Sequence, residues 1–377
     1  MFTLPKLLIP NNDIDLSLWA EIACDQHVLD DDFWNQSLND VKNKPSFTHI
    51  ILPQTTASNL EAVKSVQKYM DLYLKQGIFK SLEKGTIYIE REMSDGGIRD
   101  GLLLNLDLNS LDSNLDSGIF FSEKTNPKFV DNRVAYLGNS KLDASHVIVG
   151  INDESDLFFD YLRFKTTEVL YDFHLKHNGG RIRGKKCEID NNDISKAFSL
   201  LGPKASVFIA DGNHSVLSAL THWKELGKPM NSPSRYILVE IINIHDTAVK
   251  IYPIHRAILC RRDIFEPLLK TLGFTKSDSI FCCPKKTGTS LIELYESLNE
   301  LLDVCLKNGI CQRVEYIHDE DEINESVLQN NIVIKMNAIE KKTIFNYLNK
   351  VGILPFKSFS VGRSIDKRYY LETRIRL

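Results

Sequence analysis

Residues 205–227 read ASVFIADGNHSVLSALTHWKELG, and they carry the clearest secondary-structure pattern in the sequence. Its first six residues, 205–210, form a short and mostly apolar run that predicts a buried strand. Apolar side chains then recur at helical spacing between residues 216 and 223, and Gly227 provides a left-handed stop. The sequence therefore predicts a strand, a short loop and a helix in direct succession.

The loop between this strand and helix is Asp211-Gly212-Asn213-His214. Amides at the start of a helix lack partners within it, and the helix dipole adds partial positive charge, so such a loop can bind phosphate. Asp211 is then a candidate ligand for Mg²⁺, Gly212 allows close approach of the backbone, and His214 can donate to an oxyanion. The alternative is structural: Asp211 caps the helix and His214 lies on the surface.

The size and composition of the chain indicate a globular protein with two closely packed lobes. It has 377 residues, of which 43% are hydrophobic and 25% charged, and its formal net charge is −4. That length exceeds the usual single-domain range of about 100 to 200 residues. Proteins that bind nucleic acid usually carry a basic excess, so the charge argues against a nucleic-acid partner.

The N-terminus and the cysteines predict a cytoplasmic protein with no membrane partner. The first apolar stretch is broken by Pro5 and Pro10 and lacks a signal-peptide cleavage pattern. No segment approaches the roughly 18 uninterrupted apolar residues that a membrane span requires. The seven cysteines are odd in number and show no Cys-x-x-Cys spacing, which favours reduced thiols. The oligomeric state stays open.

Periodicity predicts further elements on both sides of this stretch. An amphipathic helix over residues 59–76 ends at Gly77, and two strands over 86–91 and 102–108 form a hairpin. The remaining predictions are a strand at 147–151, a helix at about 156–171, two β-rich runs at 235–244 and 249–259 that extend the sheet of residues 205–210, a helix at 290–307 and a strand at 332–336.

Several sequence blocks resemble one known family. IADGNHSVLSA (209–219) resembles the Asp-Gly-x-His signature of an uncharacterised family, domain of unknown function one-zero-one-five, which is related to ParB/sulfiredoxin-fold proteins and their free-serine kinases. The other blocks follow in the same order as in the family: DLSLWAEIACDQ (15–26), SEKTNPKFVDNR (122–133), YDFHLKHNGGRIRG (171–184), YPIHRAI (252–258) and LPFKSFSVGRSIDKRYYLETR (354–374). Together they cover nearly the whole chain.

The resemblance implies a mixed α/β fold. We expect a ParB/sulfiredoxin-like sheet-and-helix core near residues 200–260, with an N-terminal α/β elaboration and C-terminal helices that pack back on it. The corresponding division places an N-terminal α/β region with the Glu123 block in residues 1–175, and the core with its C-terminal elaboration in residues 176–377.

The resemblance also implies a small-molecule kinase that transfers a phosphoryl group from ATP or ADP to free L-serine or a similar hydroxylated molecule. Glu123 matches the glutamate that serves as general base in the related kinases, and Asp211 is expected to hold Mg²⁺. The implied catalytic residues are Glu123, Asp211 and His214. The implied nucleotide-binding residues are Lys124, Thr125, Arg133, Gly212, Asn213, Ser215, His255 and Arg256, with Lys357, Lys367 and Arg368 as further anion contacts.

The chain departs from the family pattern at two positions of the central motif. Many members have His and Arg where this chain has Asn213 and Ser215, and loss of that arginine removes a bidentate phosphate ligand. His255 and Arg256 could compensate, or they could form a buried structural pair. The alternative function is a nucleotide-binding switch or an interaction protein without phosphoryl transfer, and a ParB-like DNA-binding role ranks last.

Overall fold

The structure is a computed structural model that describes residues 1–23, 31–53, 59–112, 118–125, 127–138, 140–144, 146–202 and 207–376. The backbone alone is described for residues 31, 112, 127–129, 131 and 132. Two compact units are present. The first consists of Met1–Phe120, Thr125–Val249 and Ile365–Leu377, and the second of Phe121–Lys124 and Lys250–Ser364. The predicted division at residues 175 and 176 divides the chain differently and stays a prediction.

The strands are numbered in chain order. They are β1 Phe2–Thr3, β2 Leu7–Pro10, β3 Glu21–Ile22, β4 Phe79–Ser81, β5 Thr86–Glu92, β6 Ile98–Asp107, β7 Ile119–Phe121, β8 Val147–Ile151, β9 Thr166–His174, β10 Arg181–Cys187, β11 Val207–Asp211, β12 Tyr236–Asn243, β13 Ile251–Tyr252, β14 His255–Cys260, β15 Thr275–Ser277, β16 Ile280–Cys282, β17 Cys311–Ile317, β18 Ile332–Lys335, β19 Ser360–Val361, β20 Tyr369–Tyr370 and β21 Thr373–Arg374.

The helices are numbered in the same way. They are α1 Leu16–Trp19, α2 Asp31–Val41, α3 Leu60–Gln76, α4 Asn109–Asp112, α5 Pro127–Leu137, α6 Leu157–Arg163, α7 Asn191–Ser199, α8 Asn213–Glu225, α9 Arg262–Thr271, α10 Gly288–Lys307, α11 Glu325–Asn330 and α12 Lys341–Val351. Short 3₁₀ helices span Phe47–Ile50, Pro233–Arg235, Glu320–Glu322 and Ser364–Asp366.

The first unit contains a nine-stranded mixed sheet of order β7-β11-β8-β12-β6-β5-β10-β9, with β1 paired to β6. Strands β8 and β12 run parallel, whereas β11 pairs antiparallel with β8 and β12 with β6. These central strands are apolar runs whose residues are almost all buried, because a strand covered on both faces has no solvent-facing side. The mixed α/β class is confirmed, and the likeness to the ParB/sulfiredoxin core stays a prediction.

Several predicted elements of the first unit are confirmed. Helix α3 begins after Asn59, whose side chain caps two amides, and ends at Gly77 in the left-handed region with φ of 64°. Strands β5 and β6 form the predicted antiparallel hairpin, and β11 and α8 follow each other as residues 205–227 predict.

One predicted helix, at about residues 156–171, is wrong in its second half. Helix α6 ends at Arg163, and strand β9 begins at Thr166 and pairs antiparallel with β10. The residues of β9 read TTEVLYDFH, and their β-branched and aromatic side chains favour a pleated strand over a helix.

The second unit contains a five-stranded sheet of order β15-β16-β18-β14-β17. The predicted helix at 290–307 and the strand at 332–336 correspond to α10 and β18. The prediction that residues 249–259 extend the sheet of 205–210 is wrong, because β13 pairs with β19 and β14 pairs with β17 and β18. The run at 235–244 does join that sheet, as β12.

Two further observations concern the whole described chain. None of its helices combines the length and apolarity that crossing a bilayer requires. The cysteines within the described residues are free thiols, namely Cys187, Cys260, Cys282, Cys283, Cys305 and Cys311. Cys24 lies outside the described residues.

Candidate functional site

The start of α8 is the centre of the candidate site in the first unit. Strand β11 ends at Asp211, and Gly212 takes the N-cap position with φ of 83° and ψ of 26°. A β-carbon on Gly212 would lie 3.1 Å from the Cγ2 atom of Val147, so the close approach to β8 and the positive φ both favour glycine. Gly212 has no side chain of its own with which to cap α8. The two interpretations of Asp211, as a residue of the site and as a cap of this helix, stay predictions.

The carboxylate of Asp211 has two partners at this turn. Its Oδ1 atom accepts a hydrogen bond of 2.8 Å from the amide of Gly212, and its Oδ2 atom lies 3.0 Å from the ammonium of Lys367. The Lys367 side chain is only 4% exposed, whereas that of Asp211 is 22% exposed. The structure thus places an ammonium group at the start of α8, paired with the carboxylate that precedes the helix.

The remaining motif residues surround this turn. Asn213 is buried, and its side-chain amide donates to the carbonyl of Ile209 over 3.5 Å. His214 is half-buried. Arg133, on α5, donates through Nη1 to the hydroxyl of Ser215 in the first turn of α8. Arg133 and Ser215 are therefore brought together, as expected for residues of one site.

A buried network of charges holds the segment that carries Lys367. Glu240 of β12 pairs with Arg99 at 2.5 Å and with Arg368 at 3.2 Å, and Arg368 also lies 3.3 Å from Glu372. All four side chains are at most 4% exposed. Because desolvated charges are costly unless they are paired, this network fixes the position of the residue next to Lys367.

Two glycines make room for this network. A β-carbon on Gly101 would lie 2.4 Å from the Oε1 atom of Glu240, and one on Gly184 would lie 2.2 Å from the ring of Tyr171. The hydroxyl of Tyr171 donates to Glu372. Blocks 171–184 and 354–374 of the family pattern thus meet inside the first unit.

Glu123 belongs to the second unit, where it binds the backbone of residues 357–359. Its carboxylate accepts hydrogen bonds from the amides of Lys357 at 3.2 Å, Ser358 at 2.9 Å and Phe359 at 3.2 Å. Glu123 is half-buried. Desolvation by burial raises the pKa of Glu123, even though Lys357 and these amides favour its charged form.

Arg256 lies near Glu123 in the second unit and is fully buried. Its guanidinium stacks over the rings of Tyr295 and Tyr316 at 5.0 and 5.5 Å, and it donates to the carbonyl of Lys357 at 2.9 Å. Burial lowers the pKa of Arg256. Glu123, Arg256 and Lys357 thus form one cluster.

His255 is also buried in the second unit, and its ring is engaged. Its Nδ1 atom accepts a hydrogen bond of 3.0 Å from the amide of Met336, which requires that Nδ1 carry no proton. Desolvation lowers the pKa of His255 to about 4, so the ring is neutral at pH 7. A neutral ring supplies no positive charge to a phosphate.

Lys124 and Thr125, the other predicted nucleotide-binding residues next to Glu123, are more exposed to solvent than Arg256 and His255. Lys124 is exposed and forms an ion pair of 2.5 Å with Glu296. Thr125 is half-buried. Their roles in nucleotide binding stay predictions, as do those of His255 and Arg256.

The predicted Mg²⁺ site at Asp211 does not fit the residues around it. Both carboxylate oxygens of Asp211 already accept hydrogen bonds, and one of them faces the Lys367 ammonium. In the part of the chain that the structure describes, no group of three or more His, Cys, Asp or Glu side chains could hold a metal ion. The Lys367 ammonium occupies the position beside Asp211 that a cation would take.

Two contributors to this region are missed by the sequence reasoning. Glu240 lies in an apolar strand and pairs with Arg99, which is 141 residues away. Local hydrophobic periodicity therefore cannot predict this pair. Arg376 is buried near α8, and a signal for it does exist. Arg374 ends β21 and Arg376 lies two residues further along the chain, and a spacing of two in an extended segment predicts that both side chains share one face.

Comparison with known proteins assigns a family. Residues 8–273 match the family model described as "Protein of unknown function (DUF1015)", which covers more than half of the sequence. The chain belongs to this family.

The DUF1015 protein also resembles several solved structures at low identity. A free serine kinase in complex with AMP has a TM-score of 0.41 at 10% identity, and the match covers 71% of this chain and 90% of that chain. A conserved hypothetical protein from Pyrococcus furiosus has a TM-score of 0.40 at 10% identity, and the match covers 71% of this chain and 93% of that chain. SbnI with a C-terminal truncation, from Staphylococcus aureus, has a TM-score of 0.38 at 13% identity, and the match covers 70% of this chain and 83% of that chain. Among curated proteins, no match to this chain was found.

Proposed function

We propose that this DUF1015 protein is a small-molecule kinase that transfers a phosphoryl group from ATP or ADP to free L-serine or a similar hydroxylated molecule. The observation that supports the proposal most strongly is the start of α8. There, a glycine N-cap without a capping side chain adjoins the Lys367 ammonium and the Arg133–Ser215 pair. Phosphate groups bind well where helix amides and cations converge.

Lys367 is the residue best suited to bind the nucleotide phosphates. An ammonium group has three N–H donors, and Asp211 takes one of those of Lys367. For the other two, no acceptor is present among the described residues. Lys367 can therefore contact a phosphate oxygen and keep its ion pair with Asp211.

Asp211 then positions Lys367 within the proposed mechanism. Its carboxylate holds the ammonium at 3.0 Å, and its bond to the Gly212 amide fixes the glycine turn. The proposed role of His214 is that of a donor to phosphate oxygens in the first turn of α8. These groups would neutralise the negative charge of the phosphates, and such electrostatic stabilisation is a main part of the catalysis of phosphoryl transfer.

Glu123 is the proposed general base that takes the proton from the acceptor hydroxyl. Two properties support this role: the residue is half-buried, and desolvation by burial raises its pKa. The amides of residues 357–359 hold the carboxylate in a fixed orientation.

The test is an assay for phosphoserine. Purified protein is incubated with L-serine, Mg²⁺ and either ATP or ADP, and the products are followed by ³¹P NMR. We expect phosphoserine with one of the two nucleotides, a loss of at least about a hundredfold in kcat for Glu123→Gln, which removes a general base, and a rise in the KM for nucleotide for Lys367→Met.

Lys84→Met is the matched control for the lysine variant, because Lys84 is an exposed lysine of the same unit. Its kinetic constants should equal those of the wild type. The absence of phosphoserine with both nucleotides, or full turnover by Glu123→Gln, contradicts the proposed reaction.

A second candidate is a nucleotide-binding switch that does not transfer phosphate. It is favoured by the three backbone amides that occupy Glu123, because a carboxylate so engaged has fewer lone pairs for a substrate proton. Calorimetric titration with AMP, ADP and ATP separates the two candidates. Saturable nucleotide binding that depends on Lys367, without any turnover, supports the switch over the kinase.

A further inference from the structure

A small cavity of about 60 Å³ lies beside α8 within the first unit. Arg133, Ser215, Ser218 and Arg376 contribute its polar lining, together with the carboxylate of Asp143. A cavity of this size has room for about four to six heavy atoms, since about 10 to 15 Å³ accommodates one water.

The most unusual group in the cavity wall is the guanidinium of Arg376. The residue is 2% exposed, and its backbone amide donates to the carbonyl of Lys141 at 2.8 Å. Within the described residues, the Nε and Nη2 atoms of Arg376 are buried and have no hydrogen-bond partner. A buried guanidinium with unpaired donors is costly unless an acceptor is supplied from elsewhere.

Asp143 lines the same cavity, but it forms no hydrogen bond with the Nε or Nη2 atom of Arg376. Its Oδ2 atom accepts from the Nε atom of Arg374 at 2.9 Å and from the amide of Leu238 at 3.0 Å. The side chains of Asp143 and Arg374 are both 4% exposed. Among the described residues, Arg374 forms the ion pair with Asp143, and the Nε and Nη2 atoms of Arg376 have no hydrogen-bond partner.

The rest of the wall fits an organic anion. Ser215 accepts a hydrogen bond from Arg133 and keeps a hydroxyl hydrogen for which the described residues present no acceptor. Ile51, Leu137 and Ala219 provide apolar surface in the same cavity. A fully hydrated oxyanion would leave that surface unfilled, whereas a short carbon chain would cover it.

We propose that this cavity binds the carboxylate of a small aliphatic acid. Its oxygens accept hydrogen bonds from Arg376 and Ser215, and its carbon chain packs against the apolar wall. The cavity shares Arg133 and Ser215 with the proposed phosphate site, but this proposal concerns the binding of the acid alone and is tested without any measurement of phosphoryl transfer.

Propionate is the probe, because it has five heavy atoms and one carboxylate. The full chain is titrated with propionate by calorimetry and by thermal unfolding at constant ionic strength, with propionamide as the neutral isostere and inorganic phosphate as the competing oxyanion. We expect saturable binding and a rise in Tm with propionate, and neither effect with propionamide.

Arg376→Met should lower the affinity for propionate at least tenfold and should leave the Tm of the free protein unchanged or higher, because it removes an unpaired buried charge. Arg374→Met is the matched control. It should lower the Tm of the free protein, because it leaves Asp143 buried without its partner. A purely structural role for Arg376 predicts the opposite pattern, with the Tm of Arg376→Met falling as far as that of Arg374→Met.

Ala219→Val tests the cavity without changing its charge. If Arg376→Met does not fold, this variant alone tests whether propionate binds in the cavity. Added methyl groups in the wall should abolish the response to propionate. The proposal is overturned if propionamide binds as well as propionate, if phosphate binds and propionate does not, or if Ala219→Val and Arg376→Met bind propionate like the wild type.

Discussion

Replacement of Glu240 by glutamine tests the buried charge network of the first unit. The carboxylate of Glu240 is 2% exposed, and it neutralises both Arg99 at 2.5 Å and Arg368 at 3.2 Å. Glutamine keeps the length of the side chain and one acceptor oxygen, but it removes the negative charge. Both guanidiniums, which are 2% and 4% exposed, then lose their shared counter-charge.

The expected cost follows from this burial. Removal of one partner from a buried ion pair costs about 3 to 5 kcal/mol, because the remaining charge stays desolvated. We expect Glu240→Gln to lower the free energy of unfolding by about that amount. Since domains are stable by only about 5 to 15 kcal/mol, this is a large fraction of the total.

Urea unfolding at pH 7, followed by circular dichroism, measures the effect. Glu168→Gln is the control, since that glutamate is 66% exposed and lies 3.8 Å from Lys186. An exposed pair of this kind contributes roughly 0 to 1 kcal/mol. If Glu240→Gln loses less than about 1 kcal/mol, the network does not hold the segment of Lys367 in place, and the reasoning from burial is wrong.

Two further predictions concern single residues of the candidate sites. Gly212→Ala should lower the free energy of unfolding by at least about 1 to 2 kcal/mol, because a left-handed backbone conformation at φ of 83° costs alanine about that much. An unchanged midpoint of urea unfolding would contradict this prediction. The pKa of His255 is lowered from 6.5 to about 4. Between those pH values the imidazole is therefore mostly protonated in the unfolded state and mostly neutral in the folded state. The free energy of unfolding should therefore fall by roughly 3 kcal/mol as the pH drops from 6.5 to 4. His255→Asn keeps an acceptor for the Met336 amide and should make that fall smaller, as pH-dependent urea unfolding can show.

The part of the fold that the sequence predicts well is local. Strand β11, the glycine turn and α8 follow one another without a break, so hydrophobic periodicity and the need for glycine at the turn are sufficient to predict them. The hairpin of β5 and β6 is local in the same sense. The Asp-Gly-x-His motif lies in the stretch that forms β11, the glycine turn and α8.

The rest depends on pairings that no short window contains. The β-rich run at 249–259 looks like a continuation of β12, yet its strands pair with β17, β18 and β19 far along the chain. Asp211 likewise finds Lys367 156 residues later. Which strands and charges meet is decided by the tertiary arrangement, and the pattern of one segment does not encode it.

The first unit is discontinuous in sequence, and this has a consequence for its assembly during translation. Strand β20 pairs with β3, and the indole of Trp19 donates to the carbonyl of Leu371 at 2.8 Å, so contacts at the heart of the first unit span about 350 residues. A ribosome that delivers residues from the N-terminus exposes β3 long before its partner exists. The whole of Lys250–Ser364 must emerge in the meantime. The first unit can therefore be completed only after residues 365–374 have been made.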